Sequence, residues 1–491
     1  YLREACDQQF TWSGWEVALP KRLPDFKRTE GASPARYRHY FNVCTFGYTT
    51  VWWDWKRWQR EIDWMALHGI NMPLAMNGQE SVWREVFGSF GVPKASIDKH
   101  FSGPAFLPWH RMGNLNSHMG PLPESWHRGQ EALQKQILRR ERELGMTPVV
   151  PGFSGFVPVD FDKSVPGAKL DSPSPWCDFP ATRFVDVRSP LFVEIGKRFV
   201  QAYRAKYGSD HLYLCDTFNE QNPQFPAATK LQDLAACGQA VYESLKQADP
   251  DAVWVMQGWL FYNARDYWKQ PEVDALLSRV PKDKLIVLDL ATSEYPVYQN
   301  QPTVRNAGWI LNTLHNYGQN TAVQGPLQRY ADTVAEALAS PLKGRMLGMG
   351  LTMEGIDQNP VVYELMTDLM WTDRPVKADA WIRGYVRSRY GRADGDALRA
   401  WQVLLATVYG NEGSWYKAVW RGRPSLSPRP SLDPAKLRPA VEGLWQTAQK
   451  GANERLRRDL ADVAKTWLGS LADLQAAGSI HAYDATRNPA M

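Results

Sequence analysis

Short apolar runs alternate with amphipathic segments along most of the chain, and this alternation constrains the fold more than any other feature. The runs have the length of strands, and the segments between them repeat apolar residues at helical spacing. Such a pattern predicts βα units and a parallel sheet. Eight parallel strands with helices between them favour a closed (β/α)8 barrel over an open sheet. The candidate strands are residues 40–46, 70–76, 147–153, 211–218, 252–259, 284–290, 308–314 and 347–353.

Two of the intervening helices carry clear boundary signals. Ser189 and Pro190 provide an N-cap and a first-turn residue for a helix that ends before Gly208. Between the first two strands, an apolar stripe at helical spacing precedes Gly69, which is suited to end a helix. This stripe consists of Trp55, Trp58, Ile62 and Met65. No convincing helical pattern joins the sixth and seventh strands.

The distribution of strands and loops predicts three parts. Residues 1–35 precede the strands, residues 36–375 form the barrel, and residues 376–491 contain only helical patterns and form an all-α domain. Two connections within the barrel, residues 77–124 and 154–184, are too long for plain βα loops. Long connections are usually functional or disordered, and loops that follow barrel strands build the active-site mouth.

The overall composition excludes several classes of function. The net charge of +5 is small and no block of basic residues occurs, which argues against a nucleic-acid partner. No apolar run reaches the 18 or so residues of a membrane span. The cysteines are odd in number and lack a C-x-x-C pair, and the histidines form no H-E-x-x-H motif. Neither a disulfide framework nor a metal site is therefore expected.

Carboxylates follow several of the predicted strands, at the end of the barrel where catalysis takes place. Glu220 in "LYLCDTFNEQNP" follows the fourth strand, and Glu354 in "GMGLTMEGIDQNP" follows the eighth. Asp216, Asp289 and Glu294 also lie near strand ends. Two glutamates from different strands fit the two-carboxylate layout of glycoside hydrolysis. Either could instead be an ion-pair partner or a neighbour of a helix N-cap.

A polar cluster and the tryptophan content are also compatible with a sugar-binding site. His315, Asn316 and Asn320 follow the seventh predicted strand, although a buried histidine there could serve only a structural hydrogen bond. The 22 tryptophans mostly fill cores, but flat rings with one polar N–H also stack on sugar faces.

Several segments taken together resemble the α-N-acetylglucosaminidases of glycoside hydrolase family 89. They include "FNVCTFGYTTVWWDWKRWQREIDWMALHGINMPLA", "GPAFLPWHRMGNL", "GPLPESWH", "DTFNEQNP", "MQGWLF", "LHNYGQN" and "MEGIDQNPVVYELM". The resemblance runs from Arg36 to Gly410. It implies a (β/α)8 barrel, with residues 1–35 as the remnant of an N-terminal α/β domain and an incomplete C-terminal helical domain.

The resemblance also implies an activity and a set of site residues. The activity is retaining hydrolysis of terminal, non-reducing α-linked N-acetylglucosamine, with Glu220 as acid/base and an ionised Glu354 as nucleophile. No cofactor or metal is implied. The substrate would be a glycan ending in α-GlcNAc, with no nucleic-acid or membrane partner and an open oligomeric state. The matching sugar-pocket positions are Asn42, Cys44, Trp109, Met112, Trp176, Asn219, Trp259 and His315.

Two other functions remain open at this point. One is a catalytically inactive relative that only binds carbohydrate, and the other is a retaining β-glycosidase on the same barrel. A bacterial family member would be secreted or periplasmic, although no signal peptide is visible. The natural glycan is also open, because heparan-type and mucin-type chains can both end in the required sugar.

Overall fold

The computed structural model describes residues 6–11, 21–22, 24–25, 30–318, 322–410, 425, 427–428, 430 and 432–487. The strands are β1 (Tyr37–Tyr40), β2 (Met72–Pro73), β3 (Val149–Pro151), β4 (Phe156–Val157), β5 (Leu170–Asp171), β6 (Arg183–Val185), β7 (Leu212–Leu214), β8 (Val253–Gln257), β9 (Leu285–Asp289), β10 (Gly308–Thr313) and β11 (Met346–Leu351). Eight of them form one parallel sheet in the order β2-β1-β11-β10-β9-β8-β7-β3. A parallel bridge between Leu74 and Val149 joins the two ends of this sheet. The predicted (β/α)8 barrel is therefore confirmed.

The first predicted strand is misplaced in the sequence analysis. Residues 40–46 were expected to form it, whereas β1 ends at Tyr40 and a helix begins at Thr45. The backbone N–H of Cys44 donates to the side-chain oxygen of Asn42 at 2.9 Å, and that of Asn42 donates to Thr45 Oγ1 at 3.1 Å. These side-chain acceptors compete with the strand ladder and turn the chain.

The two helices with boundary signals form as predicted. Trp55–Leu67 buries Trp58, Ile62 and Met65, and Gly69 follows it at a φ of 77°. Pro190–Tyr207 is capped by Ser189, whose hydroxyl accepts the N–H of Leu191 at 3.2 Å. Both helices bury one apolar face, which stabilises them more than their surface charges do.

The remaining helices follow the expected alternation with two refinements. The long connections are ordered: residues 77–124 contain short helices, and residues 154–184 contain an antiparallel sheet of β4, β6 and β5. Two short helices join the sixth and seventh predicted strands, where the sequence shows no convincing helical pattern. In the barrel region the other helices are Thr45–Tyr48, Gln79–Ser89, Lys94–His100, Leu107–Arg111, Glu124–Glu143, Phe161–Ser164, Lys230–Lys246, Trp259–Asn263, Gln270–Leu277, Val297–Asn300, Pro302–Asn306, Leu327–Ala339 and Pro360–Leu369, with 3-10 turns at Pro104–Phe106 and Lys282–Lys284.

The described residues of the C-terminal part of the chain form helices and no strands, as expected. A buried ion pair ties two of its helices, because the Arg389 guanidinium donates to both oxygens of Asp459 at 2.6 Å. Within the described residues, no helix combines the length and apolar character needed to cross a bilayer. The helices of the C-terminal part are Ala378–Tyr390, Gly395–Ala406, Pro434–Gln449 and Glu454–Thr486.

The chain forms two compact units. One comprises residues 33–319 and 337–356, and the other comprises residues 1–32, 320–336 and 357–491. Much of the first 35 residues lies outside the described part of the chain. The predicted domain limits at residues 35 and 375 therefore stay predictions.

Gly348 gives a direct test of the barrel register. A Cβ atom on Gly348 would lie 1.9 Å from the carbonyl oxygen of Tyr37, its partner on β1. We expect Gly348→Ala to lower the free energy of unfolding by about 2–3 kcal/mol, because β1 would have to shift. A Cβ on Gly384, which is exposed in a helix, meets nothing within 4 Å. Gly384→Ala should instead stabilise by roughly 0.5–1 kcal/mol, and equal effects of the two changes in denaturant unfolding would contradict the register.

Candidate active site

Both predicted catalytic glutamates lie at the same end of the barrel. Glu220 follows β7 and Glu354 follows β11. The carboxyl ends of parallel strands meet at one end of a barrel, and active sites form there. The strand order places β8, β9 and β10 between the two glutamates on one side and β1, β2 and β3 on the other.

Three N–H donors from three different connections hold the carboxyl group of Glu220. The indole N–H of Trp176 donates to Oε2 at 2.5 Å, and the amide of Asn114 donates to the same oxygen at 3.1 Å. The indole N–H of Trp259 donates to Oε1 at 2.9 Å. Trp176 and Trp259 therefore lie in the predicted site and orient Glu220 directly.

Asn114 is a site residue that the sequence analysis missed. It lies in the connection between β2 and β3 and is 1 % exposed. The motif "GPAFLPWHRMGNL" contains it, but only Trp109 and Met112 of that motif were assigned there. The local sequence around Asn114 does not indicate that its amide contacts the carboxylate of Glu220, which lies 106 positions further along the chain.

Glu354 has a different environment from Glu220. Its Oε2 accepts the backbone N–H of Gly318, and its own N–H donates to the carbonyl of Asn316 at 2.9 Å. Burial raises the pKa of Glu354 to about 6, the N–H of Gly318 opposes this rise, and the negative charge of Glu220 adds to it. Glu354 is thus ionised at neutral pH, as expected of a nucleophile, but becomes protonated in mild acid.

Cys44 and Asn42 lie beside Glu354. Burial and the two glutamate charges raise the pKa of the Cys44 thiol well above its usual value, so that the thiol stays neutral and donates to Glu354. The Asn42 side chain accepts the N–H of Cys44 at 2.9 Å and donates to the carbonyl of Thr352 at 2.9 Å. Asn42 therefore positions Cys44 by joining the end of β1 to the end of β11.

Three more predicted residues pack close to these groups. The Asn219 amide, next to Glu220 in the chain, lies 3.2 Å from the sulfur of Met112. Trp109 is half-buried, and its ring meets that of Tyr48 edge-on at 5.1 Å. Burial and the charge of Glu354 raise the pKa of Tyr48 to about 12, so Tyr48 is near Glu354 and remains a neutral donor.

The polar cluster after β10 is only partly described. His315 is 1 % exposed, and burial lowers its pKa to about 3, which keeps its imidazole neutral. Asn316 contributes its carbonyl to Glu354. Asn320 lies outside the described residues. The assignment of His315 to the sugar pocket stays a prediction.

The other strand-end carboxylates divide into structural and exposed groups. Asp216 accepts the backbone N–H and the side-chain amide of Gln257 at 2.8 and 2.6 Å, which links β7 to β8. Asp289 is fully buried and accepts the N–H of Tyr298 at 3.1 Å. Burial raises the pKa of Asp216 to about 6 and that of Asp289 to about 7. Glu294 is exposed at the barrel mouth.

Among the described residues, one group of side chains could in principle hold a metal ion. The ligand atoms of His211, Asp249 and Asp251 lie within 4.8 Å of one another. They precede β7 and β8 and are therefore at the opposite end of the barrel from the glutamates. The carboxylate of Asp249 already accepts the hydroxyls of Ser209 and Tyr213 at 2.9 and 2.7 Å, so this group has a structural explanation.

Comparison with known families gives two matches that together cover most of the chain. The family model described as the α-N-acetylglucosaminidase (NAGLU) tim-barrel domain matches residues 38–373. The model described as the C-terminal domain of the same family matches residues 381–491.

Curated and solved relatives agree with these matches. The human protein α-N-acetylglucosaminidase is 41 % identical over 439 residues, which cover 88 % of this chain and 58 % of the human protein. A family 89 glycoside hydrolase from Clostridium perfringens, solved with 2-acetamido-1,2-dideoxynojirmycin, superposes with a TM-score of 0.90 at 27 % identity, over 99 % of this chain and 56 % of its own. Another structure from that organism, described as in complex with its substrate GlcNAc-α-1,4-galactose, has a TM-score of 0.86 at 26 % identity, over 96 % and 54 %. The chain spans somewhat more than half the length of these relatives.

Proposed function

The chain belongs to the α-N-acetylglucosaminidase family, and we propose that it is a retaining exo-glycosidase that removes terminal α-linked N-acetylglucosamine from glycans. In this proposal Glu220 is the acid/base and Glu354 is the nucleophile. A location outside the cytoplasm, secreted or periplasmic, is part of the proposal, because glycans of this kind occur on cell surfaces and in secretions.

The observation that carries the proposal is the contrast between the two carboxyl groups. Glu220 is held through both oxygens by side-chain donors, whereas Glu354 accepts one backbone N–H and one thiol. The charge of Glu220 raises the pKa of Glu354, so the two groups are close enough to interact. Two carboxyl groups with different environments are typical of an acid and a nucleophile that divide their roles.

The chemistry of the substrate favours double displacement. In an α-linked N-acetylglucosaminide the 2-acetamido group is cis to the leaving group and cannot attack C1 from the opposite face. Glu354 would therefore attack C1 and break its bond to the leaving-group oxygen, which takes a proton from Glu220. Water, deprotonated by Glu220, would then attack the β-linked glycosyl-enzyme and release N-acetylglucosamine as the α-anomer. A retaining pair of this kind is expected to lie about 5–5.5 Å apart.

The pH profile provides one prediction. If Glu354 is the nucleophile it must be ionised, and its pKa of about 6 predicts that kcat/KM falls as the pH drops through that value. The same fall should remain in Glu220→Gln, because it reports the protonation of Glu354, and Glu220 is itself protonated in the active form of the wild type. A dinitrophenyl substrate should be used, because its departure needs no proton. Loss of this pH dependence in Glu220→Gln would contradict the assignment of the titrating group to Glu354, and Glu143→Gln, at the far end of the barrel, serves as the unchanged control.

Hydrolysis of a matched pair of aryl N-acetylglucosaminides tests the function itself. Turnover of the α-anomer alone is the expected result. Turnover of the β-anomer alone would indicate a β-glycosidase. If the folded protein cleaves neither anomer but binds N-acetylglucosamine, it is an inactive carbohydrate-binding relative.

A further inference from the structure

We propose that Glu80 and Arg111 form a positioning pair, which sets the direction of the Asn114 amide and through it the orientation of the Glu220 carboxyl group. Neither member of the pair hydrogen-bonds to Glu220, whose donors among the described side chains are those of Asn114, Trp176 and Trp259. This inference rests on the proposed function, because the orientation of Glu220 matters to the rate only if its carboxyl group transfers a proton.

The Glu80–Arg111 pair is a buried ion pair with two parallel hydrogen bonds. Arg111 Nε donates to Glu80 Oε1 at 2.8 Å, and Nη2 donates to Oε2 at 3.1 Å. The side chains of Arg111 and Glu80 are 5 % and 2 % exposed. Burial raises the pKa of Glu80, but the charge and hydrogen bonds of Arg111 outweigh this effect and hold the pKa below its usual value. Glu80 is therefore ionised at neutral pH.

The surroundings of the pair argue that it serves geometry more than stability. A small cavity of about 30 Å³ borders the pair. Its other walls include the aromatic and imidazole rings of Trp83, Phe87, His100, His110, Phe153 and Phe156. Burying two charges in such a place costs desolvation energy that an apolar pair of similar size would avoid. A fork of two hydrogen bonds does, however, fix the direction of both side chains. The pair is thus best explained by the position that it imposes on the chain around Arg111.

Backbone hydrogen bonds carry the position of Arg111 to Asn114. Arg111 ends the helix Leu107–Arg111, and Glu80 lies in the first turn of the helix Gln79–Ser89. The backbone N–H groups of the three residues after Arg111 bend back and donate to carbonyls of the first of these helices. The N–H of Asn114, for example, donates to the carbonyl of Trp109 at 2.8 Å. Asn114 is therefore part of the same hydrogen-bonded turn as Arg111, and the ion pair anchors this turn to a second helix.

The Asn114 side chain depends on this turn for its direction. Its amide nitrogen donates to Glu220 Oε2 at 3.1 Å, whereas its buried Oδ1 has no hydrogen-bond partner. Because the amide is held at one end only, it follows its backbone when the turn moves. Such a movement would weaken the bond to Glu220 and leave the carboxyl group to its two tryptophan donors. A catalytic acid works only within a narrow range of positions, so proton transfer to the leaving group would slow.

The ratio of kcat/KM for phenyl and dinitrophenyl α-N-acetylglucosaminides tests this inference. Only the phenyl leaving group needs a proton from Glu220, and any change in binding of the shared sugar cancels in the ratio. Arg111→Lys keeps the charge but loses the fork. We expect it to lower the phenyl-to-dinitrophenyl ratio about tenfold, as for weakening one hydrogen bond to a charged group. Glu80→Asp draws the carboxylate back while keeping its charge, and should lower the ratio too, which keeps the test valid if Arg111→Lys does not fold.

A double-mutant cycle with Asn114 separates positioning from a general structural role. Asn114→Ala removes the bond through which the pair would act, so adding Arg111→Lys to it should change the ratio by less than about twofold. Arg142→Lys is the matched control, because Arg142 makes a similar fork to Asp210 in the segments that precede β3 and β7, at the opposite end of the barrel. It should leave the ratio unchanged.

The outcomes distinguish this inference from the proposed function. An unchanged ratio in folded Arg111→Lys and Glu80→Asp, or full additivity of Arg111→Lys with Asn114→Ala, would overturn the inference. The proposed function would stand in that case, as long as Glu220→Ala lowers the ratio. If Glu220→Ala leaves the ratio unchanged, Glu220 is not the acid, and the proposed function fails together with the inference.

Discussion

Glu354→Ala is expected to reduce kcat for an aryl α-N-acetylglucosaminide by about 10⁴-fold or more, a loss typical of removing a nucleophile. Glu354 is only partly buried, so the alanine variant should fold. Added azide should occupy the vacated space and attack C1 from the face that Glu354 would use. The product would then be the β-configured glycosyl azide, which NMR identifies directly.

A matched substitution at a remote glutamate shows whether the loss of kcat in Glu354→Ala comes from the missing nucleophile or from a general effect on folding. Glu143→Ala, an exposed change that precedes β3, should keep wild-type kcat and melting temperature. If Glu354→Ala kept activity within about tenfold of the wild type, Glu354 could not be the nucleophile. Folded but inactive protein that azide does not rescue would also contradict the assigned role.

Glu220→Ala should give a loss that depends on the leaving group. For a sugar or phenyl leaving group, which needs a proton, kcat/KM should fall by about 10²–10⁴-fold. For dinitrophenol or fluoride, kcat/KM should change little, because glycosylation needs no acid. The glycosyl-enzyme should then accumulate, since no base activates water, and azide should speed turnover by forming the α-configured glycosyl azide.

A series of aryl leaving groups of increasing pKa measures this dependence. The slope of log kcat/KM against leaving-group pKa should be steep for Glu220→Ala and shallow for the wild type. Parallel slopes would show that Glu220 acts through binding or structure, not as the acid. Asn114→Ala removes one donor to Glu220 but keeps its carboxyl group, so its slope should lie between those of the wild type and Glu220→Ala.

Much of the barrel was predictable because its strands are buried runs. All residues of β9 and β10 are buried, and such strands appear in the sequence as continuous apolar stretches. The prediction of the first strand was wrong. The run at residues 40–46 is also largely apolar, but Asn42 and Thr45 turn the backbone through side-chain hydrogen bonds. Apolar pattern alone does not reveal such a turn.

The candidate site was predictable only in part. Glu220 and Glu354 follow apolar runs, so their position at the barrel mouth follows from local sequence. Asn114 and the backbone N–H of Gly318 could not be found this way, because their roles depend on where long connections return to the mouth. Asp289, in contrast, looked like a catalytic candidate, whereas its burial and its bond to the Tyr298 N–H give it a structural role.

The central claim, double displacement by Glu220 and Glu354 on an α-linked N-acetylglucosaminide, is tested most directly by the anomer that forms first. Proton NMR of the wild-type enzyme with an aryl α-N-acetylglucosaminide follows the H1 signals before mutarotation. Retention predicts α-N-acetylglucosamine as the first product, with the β-anomer appearing only later. The β-anomer as first product would mean inversion, a carboxyl separation of about 6.5–9.5 Å, and no nucleophilic role for Glu354.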